Sequence, residues 1–283
     1  MTPLRDTGLA GLERLGLLGP AFRAFEWVKS LGHLREDTTS DVPPLPPARL
    51  RVRVTGTAGA SWFRESGLLT ANAVEDALVR HGLPLERADR MLDFGCGCGR
   101  VLRNWDTASG CAIHGCEPDP RLIRWCIEHL PFECREQGHS PPLPYEDGFF
   151  GALYAISVFT HLPETEQRDW LAEIHRIVRP SGVVVLTVHG ESYVDRLNPA
   201  ERKRFESGEI VVRWPSVAGS NLCTAFHPPA FIRHRLSEGF ELLEHAPIAV
   251  PGTPTQDLVV LRRPSSADQL PVRRTGPAAP SEG

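Results

Sequence analysis

Residues 91–100 read Met-Leu-Asp-Phe-Gly-Cys-Gly-Cys-Gly-Arg, and no other stretch constrains the fold as much. Apolar residues lead into it as into a buried strand, and Asp93 closes that strand. Three glycines then alternate with cysteines, and Arg-Val-Leu-Arg opens what reads as a helix over 99–106. Glycine lacks a Cβ, so the backbone can turn sharply and lie against a ligand. A helix N-terminus behind it would add unpaired N–H groups. A strand, a glycine turn and a helix form a nucleotide-type cradle at the carboxyl end of a parallel strand. The dinucleotide fingerprint G-x-G-x-x-G does not fit, because its third glycine would fall on Arg100. A P-loop does not fit either, since no Gly-Lys-Ser/Thr follows.

The rest of the chain is consistent with a doubly wound sheet. Strands are expected at 90–94, 111–117, 132–135, 149–158, 183–188, 240–249 and 256–263, with helices at 72–81, 120–129, 163–178 and 228–238 between and around them. Such alternation implies a mostly parallel sheet covered on both faces. Before it, residues 4–36 have helical spacing interrupted by Gly16, Gly19 and Pro20, which suggests two short helices that either pack or form a lid. The Pro-rich run 42–47 reads as a stiff linker, and the Arg/Val alternation at 50–55 as an exposed strand or arm. Residues 190–230 break the rhythm with a polar helix at 195–206 and a small strand at 209–214. The division expected is 1–48 as helical segment and linker, 49–264 as the main domain with 190–230 as an acceptor-side insertion, and 265–283 as a disordered tail.

At 283 residues, 41% hydrophobic and 23% charged, the chain has an ordinary globular composition. A net charge of −4 and the absence of any Lys/Arg block argue against a nucleic-acid partner. Lys29 and Lys203 are the only lysines. No apolar run is long enough to span a membrane and no signal-peptide pattern opens the chain, so a cytoplasmic protein without a membrane partner, monomeric or homodimeric, is expected. Seven cysteines without a CxxC pair read as free thiols rather than disulfides or a zinc site, and no metal is expected.

With Asp93 in front, the D-x-G-x-G-x-G turn resembles the first motif of class I S-adenosylmethionine-dependent methyltransferases. Three further stretches resemble the same family in the same order. They are Pro141–Tyr154 leading into the fourth strand, Ser157–Leu162 leaving it, and Trp170–Val188 with Pro180-Ser181-Gly182 where Pro-Gly-Gly is common. The family's usual Phe-Asp pair stands here as Phe150-Gly151. The resemblance spans roughly residues 60–262. It implies a Rossmann-like, seven-stranded sheet whose last strand is antiparallel, S-adenosyl-L-methionine as cofactor, and methyl transfer.

Carried over position by position, Asp93, Gly95, Cys96 and Gly97 would line the methionine end of the cofactor. Glu117 stands 24 residues after Asp93 at the next strand's end, where an acid suits a ribose diol; Pro118 and Asp119 would lie beside it. Gln137 or Gly138 would sit near adenine, and Ser157 and Phe159 would flank the sulfonium. His189, His161 and His227 are base candidates, because histidine titrates near working pH. His189 and His161 are expected as catalytic residues. Trp62, Tyr193 and His227 are expected at the acceptor. A small molecule such as a sugar or secondary metabolite, methylated on O or N rather than C, is the expected acceptor. Two rival readings are a nicotinamide-dependent oxidoreductase and a non-catalytic protein that kept the fold.

Overall fold

The computed structural model describes residues 11–12, 15–33, 41–248 and 256–265. Strand β1 (Arg90–Phe94) is central because both its faces are apolar: past Arg90 every residue is buried. Met91 and Leu92 point to opposite sides, as the two-residue period of a strand requires. β2 (Ala112–Glu117) and β3 (Glu133–Glu136) extend the sheet on one side of β1, and β4 (Phe150–Ala155) and β5 (Val178–Val188) on the other, all parallel. The full order is β3-β2-β1-β4-β5-β9-β8. β9 (Asp257–Arg262) lies antiparallel between β5 and β8 (Glu241–Ala246). The expected seven-stranded sheet with an antiparallel last strand is therefore observed.

Two cores form, one on each face. Leu92, Leu153, Ala155, Val184 and Leu186 meet Trp170, Ile174 and Ile177 of the helix Glu164–Ile177. Met91, Ala152, Tyr154, Val183 and Val185 meet Val74, Ala77 and Leu78 of the helix Ala60–Arg80. Each of the Val, Leu, Ile and Met side chains among them is worth about 1.5–3 kcal/mol when fully buried. In chain order the helices are α1 (Leu18–Ser30), α2 (Ala48–Thr55), α3 (Ala60–Arg80), α4 (Leu85–Ala88), α5 (Pro120–His129), α6 (Glu164–Ile177), α7 (Pro199–Glu206) and α8 (Pro229–Phe231), the last running into a π-turn at Ile232–Leu236. The short strands β6 (Val211–Arg213) and β7 (Thr224–Phe226) pair as a separate antiparallel ribbon.

Several expectations need correction. Residues 50–55 are helical, not extended. Pro47 precedes α2, Gly56 ends it at φ 73° with its N–H on the Val52 carbonyl, and the buried residues are Ala48, Arg51 and Val52. That is the i, i+3, i+4 spacing of a helix face. Arg51 is fully buried yet satisfied, since Nε donates to the Ala58 carbonyl at 2.7 Å and Nη1 to that of Pro46 at 2.8 Å.

The helix expected over 99–106 is only a run of turns and a 3₁₀ turn at Leu102–Asn104. α3 takes its room: a Cβ on Gly67 would lie 2.1 Å from the Arg100 carbonyl oxygen. α3 itself begins twelve residues earlier than expected, at Ala60 rather than Asn72. The expected helix 195–206 is divided into a 3₁₀ stretch, Glu191–Arg196, and α7, which starts at a capping box between Asn198 and Glu201. Of the paired N-terminal helices, α1 is observed; the residues before Gly11 and the expected tail beyond Ser265 lie outside the described residues.

Candidate functional site

The glycine turn is fastened to β2. The N–H groups of Gly95 and Cys96 both donate to the Cys116 carbonyl, at 2.9 and 3.0 Å. Gly95, Gly97 and Gly99 have φ of +75°, +57° and +80°, a region other residues enter at a cost. The spaces a Cβ would fill are taken. Beside Gly95 lies Val158, and beside Gly97 lies Val54 of α2, 2.8 Å away at its Cγ2. Gly97 thus accommodates the chain's own α2.

A cavity of about 330 Å³ opens where the carboxyl ends of β1, β2, β3 and β4 converge. Its floor is Phe94, Gly95 and Gly97. Glu117 and Pro118 come from the end of β2, Gln137 and His139 follow β3, and Ser157, Val158 and His161 follow β4. Arg53 and Val54 of α2, with Ala218, Gly219 and Asn221, close it from above. The two roof pieces are joined, since Asn221 Nδ2 donates to the Arg53 carbonyl at 2.7 Å. The Gly219 N–H donates to the His161 carbonyl at 2.8 Å, which ties the roof to the β4 side.

Two acids line this cavity, Glu166 and, bonded to the glycine turn, Glu117. Its Oε2 accepts from the Gly97 N–H at 3.1 Å and its Oε1 from the Asp119 N–H at 3.0 Å. Burial nevertheless pushes its pKa up to about 7. Gln137 Oε1 is buried without a hydrogen-bond partner, an orphaned acceptor on a cavity-lining residue. Arg53 is the only arginine or lysine among the lining residues. Its guanidinium lies over the Phe22 ring and within 3.5 Å of Glu26 and of Asp119. His161 Nδ1 lies 2.6 Å from the Cys223 carbonyl, which can only accept. The proton therefore sits on Nδ1, and Nε2 keeps its lone pair. Burial lowers the His161 pKa, so the ring is held neutral.

Residues 92–186, from β1 through most of β5, match the family model described as a methyltransferase domain. Over that stretch the chain is similar to S-adenosylmethionine-dependent methyltransferases. A "sterol methyltransferase-like 2" of Botryococcus braunii is 24% identical over 149 residues, covering 50% of this chain and 37% of the relative. The chain spans between 35% and 50% of the length of the first three curated relatives it matches. Among solved structures, PH0226 of Pyrococcus horikoshii OT3 is similar at a TM-score of 0.51 and 17% identity, over 68% of this chain and 88% of that one. CalS10 of Micromonospora echinaspora, an amino pentose methyltransferase solved with its methyl donor bound, gives 0.50 and 19% over 70% and 91%. These two likenesses are of fold.

Within the matched stretch, Gly95, Gly97, Glu117, Pro118, Gln137, Ser157 and His161 come together on the cavity wall. The other expected site residues do not line it. Asp93 is turned into the core beneath the turn, where Tyr154 holds it. Cys96 is buried, 3.2 Å at its Sγ from where a Gly115 Cβ would stand. Asp119 is the N-cap of α5, bonded to the Arg121 N–H at 3.0 Å. Gly138 is exposed beside the cavity residues Gln137 and His139, and Phe159 is fully buried in the core.

His189, expected as the base, is buried behind β7. Its Nδ1 donates to the Ala225 carbonyl at 3.1 Å, Gln256 Nε2 stands 3.5 Å from its Nε2, and its ring lies against Tyr193 at 4.1 Å. Burial, with His161 and His227 nearby, lowers its pKa well below the ordinary value. His227, expected at the acceptor, is fully buried and donates from Nε2 to Gln167 Oε1 at 3.2 Å; burial lowers its pKa to about 3. Tyr193 packs with Leu197, Phe205, Val211 and Phe226. Trp62 lies on α3, 40% exposed and off the wall. Arg53, Val54, His139, Glu166 and Asn221 are among the wall residues that sequence reasoning missed. Pro47 before Ala48-Arg49-Leu50-Arg51 and the stop at Gly56 were the available signal for the first two.

Proposed function

We propose that this chain transfers a methyl group from S-adenosyl-L-methionine to a small-molecule acceptor, on O or N. The observation that carries this reading is the convergence of the Gly95–Gly97 turn, the Glu117 carboxylate and the orphaned Gln137 Oε1 on one cavity. These residues fit the cofactor. Glu117 suits a ribose diol, because a carboxylate offers more acceptor sites than its two N–H partners use. The Gln137 oxygen suits the exocyclic amine of adenine. The Arg53 guanidinium suits a carboxylate, the charge at the methionine end.

The cofactor, when bound, supplies a methyl carbon already activated by a positive sulfur. The chain's own residues have three tasks. Glu117, Gln137 and Arg53 hold the two ends of an elongated ligand and so fix its middle near Ser157 and Val158. The roof of Val54, Gly219 and Asn221 excludes water from that middle. His161 Nε2, neutral and with its lone pair free, takes the proton that an O- or N-acceptor must lose. Catalysis by His161 rather than His189 follows from their positions relative to the cavity. A sugar or secondary metabolite remains the acceptor class of this reading, and the division of the chain at residues 48 and 264 belongs to it.

A panel of S-adenosylmethionine, S-adenosylhomocysteine, NADH and NADPH tests it. The first two should raise the melting temperature, since a ligand that binds only the folded state stabilises it by mass action. A shift with NADH alone would overturn the reading. Release of S-adenosylhomocysteine with candidate acceptors separates an active enzyme from a binding protein.

A further inference from the structure

Helix α1 is built inside out. Its buried face carries Leu18, Phe22, Glu26 and Ser30, spaced four apart. Glu26 is 1% exposed, with Arg53 and Arg121 at 3.5 and 3.9 Å. The opposite face is apolar and open to solvent. At about 100° per residue, Pro20, Ala24, Trp27, Val28 and Leu31 share it. Trp27 is 55% exposed, Val28 62% and Leu31 44%.

The charges are distributed one-sidedly. Arg23, Glu26 and Lys29 are the charged residues of α1, and the acid is the buried one. The two exposed charges are both positive, on a chain whose net charge is −4. Phe25, 40% exposed, extends this face on the Val28 side, and Lys29 Nζ lies 5.7 Å from the centroid of its ring; by the same angular spacing Arg23 follows Trp27 on one side and Lys29 follows Phe25 on the other. Long cationic side chains in that position can lay their stems on apolar surroundings and keep their charge at a polar boundary.

We infer that α1 docks on an anionic lipid surface, with Trp27, Val28 and Leu31 entering the acyl boundary and Arg23 and Lys29 meeting the lipid head groups. An apolar face with aromatic residues and flanking cations is what binding in the plane of such a surface requires. A second copy of the chain is the less suitable occupant. A two-fold contact through this face would bring together cations from both helices, with no exposed acid on α1 to pair with them. No helix among the described residues is long and apolar enough to cross a membrane, so the contact is a surface one. This departs from the sequence expectation of no membrane partner, which rested on the lack of a spanning run and of a signal-peptide pattern. α1 lies close to the main cavity, since Arg53 and Ala218 line both that cavity and a smaller one, of about 220 Å³, under α1. The inference does not depend on the methyl-transfer reading.

The experiment is sedimentation of the full chain with vesicles, without cofactor. Phosphatidylcholine vesicles containing phosphatidylglycerol should carry the protein down, less so as salt rises, and pure phosphatidylcholine vesicles much less. Arg23→Gln with Lys29→Gln should lower the partition coefficient about 30-fold, from roughly fivefold for each cation near an anionic surface. Trp27→Glu should abolish binding while leaving the melting temperature near that of the wild type. Should that variant not fold, the charge pair, on exposed side chains, carries the test. Wild-type protein that stays in the supernatant with both vesicles overturns the inference. So does a wild-type dimer that Trp27→Glu converts to a monomer.

Discussion

The carboxylate of Asp93 accepts a 2.7 Å hydrogen bond from the Tyr154 hydroxyl, beneath the glycine turn. Trp105 Nε1 donates to the same hydroxyl oxygen at 2.8 Å, so an indole, a phenol and an acid form one buried chain. Burial pushes the Asp93 pKa up to about 7, against the pull of Tyr154 and Arg100. The unfolded chain loses this proton near pH 4 and the folded chain near pH 7. Stability is therefore greatest, for this group, at the acid side, and is lost as pH rises from about 4 to about 7, by up to about 4 kcal/mol. Asp93→Asn cannot ionise. Its melting temperature should fall less than that of the wild type between pH 5 and pH 8, and parallel profiles would disprove the account.

Glu117 acts differently, because its carboxylate is on the cavity wall. Glu117→Gln should weaken cofactor binding by about 1.5–3 kcal/mol, the range for hydrogen bonds to charged groups. The fold should survive, since the amide oxygen can still accept one of the two N–H groups. Calorimetric titration checks this, and unchanged affinity in a folded variant removes the ribose assignment.

His161→Gln should lower turnover by about 10²–10⁴-fold, the contribution of a general base, and leave cofactor affinity nearly unchanged. Burial lowers the His161 pKa below the ordinary 6.5. The acid limb of the wild-type pH–rate profile should accordingly fall below pH 6.5, and it should vanish in the variant. His189→Gln supplies the contrast, because a ring buried off the wall affects stability first. Equal loss of turnover in both would refute the choice between them.

Gly99→Ala should destabilise the protein by about 2–5 kcal/mol. The φ of +80° costs roughly 1–2 kcal/mol and crowding in a packed core about 1–3. The new Cβ would lie 2.5 Å from Leu130 Cδ1. Gly82→Ala is the control: its φ is +77°, but nothing stands within 4 Å. It should cost only the backbone share. Denaturant melts of the two variants separate backbone strain from packing, and equal losses would contradict the packing argument.

The parts of this fold that were legible in the sequence are those decided locally. β1, the glycine turn and the acid at the end of β2 follow from strand periodicity and turn chemistry, and the structure has all three. α2 was misread because Arg and Val alternate over 50–55, and a period of two means a strand only when the sheet is there to receive it. Here the long range decided, with Arg51 drawn inward by the carbonyls of Pro46 and Ala58. His189 shows the same limit. Its place at the end of β5 was correct, but β7 folds back over it, the His227 N–H donating to the His189 carbonyl at 2.7 Å. No local pattern announces which later strand will cover an earlier residue.

The bond from Asn221 to the Arg53 carbonyl joins residues 168 positions apart, and the Gly219–His161 bond is its neighbour on the far side. The roof is thus a short bridge resting on two piers, neither of which is part of the sheet. A typical hydrogen bond of this kind is worth about 1 kcal/mol net. Parting the bridge at one pier costs little beside the free energy of folding, and the seven strands below need not move. Opening of the roof is then a local event, confined to residues 215–222, with a free energy far below that of unfolding the sheet beneath.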